Sequence, residues 1–157
     1  MFTPFGGVIS LAASLGGAIT TAGGYRIHTF TTVGNSTFTA SASGSVQYLI
    51  VGGGGTSGCR HGGGGGAGGL LTGSFSVSPG NYTISVAAGA LAPTGNNSNE
   101  SIPNGGNSTA FSLTAVGGGS GGSYRDSGGH IAATSGGSGG GAVYGLNPGG
   151  SGTAGQS

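Results

Sequence analysis

Side chains able to do chemistry are few in this sequence, and they are scattered. Cys59-Arg60-His61 is the densest group, set between two glycine tracts, and His28 and His130 are the other histidines. Cys59, His61 and His130, with His28 as a fourth, offer the thiolate and imidazole donors that zinc takes. A single cysteine without a closely spaced histidine pair is a poor ligand set, however, and the residues read as decoration of a loop. No metal and no cofactor is expected. Hydrolysis fares no better: a triad needs a base oriented by a carboxylate, and Glu100 and Asp126 are the only acids. Gly119-Ser120-Gly121 and Gly137-Ser138-Gly139 echo a nucleophile-elbow pattern through composition alone. The glycine runs also contain dinucleotide-type spacings, but no strand–helix–strand unit follows them, and a phosphate loop needs a lysine that the chain lacks. The sequence predicts a protein that is not an enzyme.

What remains is contact chemistry. Tyr124, Arg125, Asp126 and His130 form one polar-aromatic cluster late in the chain, with Tyr144 beyond it. Aromatic and arginine side chains dominate contact energies at interfaces, so these are candidate receptor or interchain contacts; the competing reading is ordinary loop caps. Sequons at Asn35, Asn81, Asn96, Asn99 and Asn107 are expected in a chain this rich in serine and threonine.

The elements that must hold these residues are unusual. Glycine supplies 43 of 157 residues, while three arginines and two acids are the whole formal charge. Disorder usually goes with low hydrophobicity and high net charge; here the charged fraction is 3% and the net charge +1. Its bare amides must therefore bond in a sheet, in a stacked glycine array or in another chain. With no basic patch to meet phosphates, nucleic acid is not an expected partner. The apolar leader, residues 1–24, carries Phe2, Phe5, Val8, Ile9, Leu11 and Leu15 as a candidate assembly segment. Its apolar stretch Gly7–Thr20 is too short and glycine-broken to span a membrane, and no lysine or arginine precedes it as in a secretory signal. Val8, Leu11, Ala12 and Leu15 share one face of a short helix, with a strand nearly as well supported.

From Tyr25 the hydrophobic period becomes two. Strands are predicted at Tyr25–Phe30, Thr37–Ala40, Val46–Val51, Leu70–Val77, Tyr82–Val86 and Ala110–Val116. Ser78-Pro79-Gly80-Asn81 is a turn by composition, so Leu70–Val77 and Tyr82–Val86 read as a hairpin. Val51 runs directly into Gly52 and Val116 into Gly117. The expected fold is all-β: short antiparallel strands, sandwich-like, whose ends pass into extended, polyproline-like glycine segments that bond laterally. Residues 25–116 form the β-rich domain and residues 117–157 a glycine-rich extension.

The order of strand and tract in YRIHTFTTVGNSTFTASASGSVQYLIVGGGG (25–55), GGGGGAGG (62–69), GSFSVSPGNYTISVAAGA (73–90) and GGNSTAFSLTAVGGGSGG (105–122) resembles a glycine-rich domain of bacteriophage tail-fibre and adhesin-like proteins. The resemblance implies polyglycine-II packing and a structural protein of the virion, at the tail fibre or tail tip, concerned with host attachment. It further implies a homotrimer, docking to other virion proteins through the leader, and a host-surface glycan or protein as the target. A capsid decoration protein or the subunit of an extracellular filament is the alternative.

Overall fold

The computed structural model describes residues 14–93, 102–124, 129–144 and 148–156. Every regular element among them is a strand: β1 (Ala18–Ala22), β2 (Tyr25–Thr29), β3 (Gly34–Ala40), β4 (Gly44–Val51), β5 (Leu70–Val77), β6 (Gly80–Val86), β7 (Ser108–Ala110), β8 (Leu113–Ala115), β9 (Ser123–Tyr124) and β10 (His130–Ile131). A four-stranded sheet in the order β3-β6-β7-β8 faces a two-stranded β4–β5 sheet, all pairings antiparallel. Alternation fills the space between them. Phe38, Ala40, Ile84, Ala110 and Ala115 from the larger sheet meet Ile50 and Val77 from the smaller, with Val46, Tyr48, Leu71 and Phe75 packed alongside. Gly73 stands opposite Tyr48 because a Cβ there would lie 2.6 Å from the tyrosine oxygen.

Two strand expectations change. Leu70–Val77 and Tyr82–Val86 do not pair with each other: β5 joins β4 and β6 joins β3, so the chain arches from one sheet to the other. The Tyr82 hydroxyl holds that arch, accepting from Ser78 N–H at 2.8 Å and donating to Ser78 O at 3.0 Å. A local alternation pattern gives each strand its face but not its neighbour. The single strand expected over Ala110–Val116 is instead the β7–β8 hairpin, turning at Phe111 and Ser112 with φ of 54° and 62°. Such turns favour Asn-Gly. Here Phe111 is held by its ring, stacked on Phe75 at 4.9 Å and edge-on to Tyr82 and Phe38, which offsets the strain of the left-handed backbone.

Beyond the sandwich the glycine tracts run side by side. The tract 117–122 lies in the middle and is buried throughout. Its amides all have acceptors: Gly118 bonds Gly53 O, Gly119 Ser138 O, Gly121 Thr56 O and Gly122 Gly141 O, at 2.8–2.9 Å. Gly117 uses Asn107 Oδ1, and Ser120 uses Asn104 Oδ1 and Thr134 Oγ1. Neighbouring bonds recur at every third residue, as where Gly69, Gly66 and Gly63 donate to Val116, Gly119 and Gly122. Gly52, Gly55 and Gly58 donate to Gly69, Gly66 and Gly63 in the same rhythm. No glycine of 52–69, 105–106, 117–122 or 136–141 has a positive φ. A three-residue rhythm of lateral bonds between segments without positive φ is the pattern of polyglycine-II packing.

Space, rather than backbone freedom, demands glycine here. A Cβ on Gly52, Gly55, Gly66, Gly68, Gly105, Gly117, Gly118 or Gly121 would come within 2.4 Å of a neighbouring carbonyl oxygen. The tracts 117–122 and 136–141 supply the middle and one flank of a stack whose other members come from 52–69 and 103–106.

The molecule has two poles. Near the sandwich's free end lie the Ala40↔Gly80 and Gly44↔Val77 pairs, the Phe111–Ser112 turn, and Leu15, bonded both ways to Thr39. Ser14 is fully buried there against Ser41. The β1–β2 hairpin stands apart, exposed along nearly its whole length, anchored where His28 Nδ1 lies 2.8 Å from Gly16 O and its ring meets Phe38 edge-on at 5.1 Å. The boundary drawn after residue 24 thus falls inside this hairpin. The helix or strand expected at Val8–Leu15 lies outside the described residues except for Ser14 and Leu15.

Candidate functional site

At the opposite pole, where the tracts turn, three pieces of chain converge. The turn 58–62 joins the tracts 52–58 and 63–69, the β9–β10 hairpin follows the central tract, and Val143-Tyr144 ends the tract 136–141. Glycine stacking dictates their meeting, because each tract must bond to its neighbours up to its last turn. Hydrogen bonds then hold the turns together: Cys59 N–H donates to the Ser123 side-chain Oγ at 2.8 Å, and main-chain bonds run from Tyr124 N–H to Cys59 O and from Tyr144 N–H to His61 O, both at 3.4 Å.

Of the candidate contacts, Tyr124 and His130 are cross-strand partners in β9–β10, their rings edge-to-face at 5.1 Å. His61 meets the same tyrosine at 6.3 Å and 86°. Tyr144 is 82% exposed, and with His61 and Tyr124 it lines an open depression of about 380 Å³. Arg125 and Asp126 lie outside the described residues, as do Phe2, Phe5, Val8, Ile9 and Leu11 of the candidate assembly segment. Leu15 is 60% exposed beside its β-bridge to Thr39.

Arg60 and His61 adopt left-handed backbone angles, with φ of 43° and 28°. Non-glycine residues in that region cost energy and persist where surrounding structure holds them. The buried Nδ1 of His130 has no hydrogen-bond partner among the described residues. Cys59 is buried, and among the described residues no three metal-ligating side chains converge. Ser120, of the elbow-like triplet, is fully buried and bonded to Thr134, so no substrate reaches it. The arrangement offers aromatic surface with phenol and imidazole hydrogen-bonding groups: the chemistry of recognition.

The sequence reading did not join His61 to the tyrosines. The signal that could have done so is its position, in the one non-glycine interruption between two tracts that must turn back on each other. Also unforeseen were Asn104, Asn107 and Thr134, which satisfy central-tract amides that no glycine neighbour reaches, and Gln156, which accepts from Val116 N–H just ahead of that tract.

The family model of a glycine-rich domain matches residues 31–157. The chain accordingly belongs to that glycine-rich domain family, its matched region opening just ahead of β3 and leaving the β1–β2 arm outside. No curated protein matches the chain, and no solved structure does.

Proposed function

We propose that this protein is a structural component of a bacteriophage virion, a tail-fibre or tail-tip adhesin that presents its distal turns to the host surface. The observation that carries this reading is the polarity of the molecule. A stack of mutually bonded glycine segments separates an aromatic-lined pole, at His61, Tyr124 and Tyr144, from the pole where Ser14 enters the fold. Such a body is rigid without being charged, and it sets its distal turns at the pole opposite an attachment end. The leader and the exposed β1–β2 arm would dock to the particle, and self-association into a trimer would cover the open edges of β4–β5.

A capsid decoration protein or filament subunit is the second reading. It is favoured by the apolar patch of Leu49, Val51 and Leu70, which are 64%, 50% and 38% exposed on the outer face of β4–β5. Gold-labelled antibody to this chain on purified virions separates the two. Label confined to the tail supports the adhesin, label over the capsid the decoration protein, and unlabelled virions with labelled extracellular filaments the filament subunit; absence of label from all three refutes both readings.

A further inference from the structure

We propose that Asn104-Gly105 is a self-modifying site. While the glycine stack is open the step converts irreversibly to isoaspartate, and once the stack closes it is held inert, so chains slow to fold are lost from the competent pool. This does not depend on the attachment role above. Asn104-Gly105 is the one Asn-Gly step in the sequence. Glycine after asparagine hinders attack by its own nitrogen least, having no Cβ and the widest conformational freedom.

The chemistry needs only the chain and water. Gly105 N loses its proton and bonds to Asn104 Cγ, while the Cγ–Nδ2 bond breaks and ammonia leaves. Water then opens the succinimide ring. Cleavage between N and Cγ gives aspartate; cleavage between N and the main-chain carbonyl carbon gives isoaspartate, whose main chain runs through Cβ and Cγ and is one carbon longer.

The folded chain ties up the atoms of this step. Gly105 N–H donates to Gly118 O at 2.9 Å. Asn104 Nδ2 donates to Ser135 O at 3.1 Å, and Oδ1 accepts from Ser120 N–H at 3.0 Å and from the Thr134 hydroxyl. Ring closure needs a bare Gly105 N against Cγ, so these bonds must open first. The stack nevertheless imposes the labile pair. A Cβ at 105 would lie 1.9 Å from Gly53 O, which demands glycine, and the N–H of fully buried Ser120 takes the amide oxygen at 104 as an acceptor.

The products do not fit. Isoaspartate lengthens the main chain immediately before Gly105, where even a methyl group has no room, and carries Gly105 N–H out of step with Gly118 O. Either product sets a carboxylate oxygen, an acceptor only, where Nδ2 now donates to Ser135 O.

The test holds the full chain folded in buffer and unfolded in urea at one mildly alkaline pH, with peptide mapping that separates asparagine, aspartate and isoaspartate. Conversion at position 104 should be slower in the folded chain by about a thousandfold or more, the inverse of the unfolded fraction. Gly118→Ala, which disturbs the carbonyl holding Gly105 N–H, should raise the folded-state rate about tenfold or more. Chains aged in urea and then diluted into buffer are sorted by limited proteolysis, and isoaspartate at 104 should be confined to those that fail to refold. Folded-state conversion within about tenfold of the unfolded rate overturns the inference. So does a Gly118→Ala rate equal to the parent's, or isoaspartate shared equally between refolded and unrefolded chains.

Discussion

Replacing Gly118 by alanine places one methyl group where the stack has no room. Its Cβ would lie 2.0 Å from Gly66 O and 2.6 Å from Ala67 O, both backbone atoms, whereas real Cβ contacts essentially never fall below 3.0 Å. The central tract and the 63–69 tract must then part by about 1 Å at that level. The bonds at risk are Gly66 N–H to Gly119 O at 2.7 Å, Gly118 N–H to Gly53 O at 2.8 Å and Gly105 N–H to Gly118 O at 2.9 Å. Each is worth about 1 kcal/mol net, and a buried group left unpaired costs about 1–3. A loss of about 3–5 kcal/mol follows, the upper end of single-mutation effects. For a chain of this length that lowers Tm by about 6–20 °C.

Gly64 is the internal control. It lies in the partner tract, has no positive φ, and a Cβ there meets nothing within 4 Å. Gly64→Ala should leave Tm unchanged or raise it slightly, since it restricts only the unfolded chain. Thermal unfolding followed by circular dichroism compares the two directly. If Gly118→Ala melts within about 2 °C of the parent, close glycine packing is not what holds this molecule together.

Three further outcomes test other parts of the structure. Ser112→Gly relieves a left-handed residue in the β7–β8 turn and should stabilise by about 1 kcal/mol, read as a raised denaturant midpoint. Phe111→Ala, which empties the ring contacts to Phe75, Tyr82 and Phe38, should cost about 3–5 kcal/mol in the same assay. Gln156→Ala removes a side chain that accepts from Val116 N–H at 2.7 Å and donates to Thr114 O at 2.9 Å. It should lower stability by about 1–2 kcal/mol and raise amide exchange selectively at Val116 and over 148–156.

Much of this protein was legible in its residues. A near-absence of charge together with abundant glycine requires main-chain groups to satisfy one another, and the all-β character and lateral glycine bonding follow from that demand. Period-two alternation marked Val46–Val51, Leu70–Val77 and Tyr82–Val86 as strands with a buried face, because side-chain direction along a strand is a local property. Partner choice is not. Whether β5 pairs with β4 or β6, whether Phe111 continues a strand or turns it, and that His61 meets Tyr124 depend on groups far apart in sequence. An aromatic cluster, an arch held by Tyr82 and the threefold rhythm of stacked tracts settle these. Composition dictates that glycine segments must stack; only the assembled structure decides which segment lies beside which, since one bare backbone offers every other the same bonds until the strands at its ends have fixed its place.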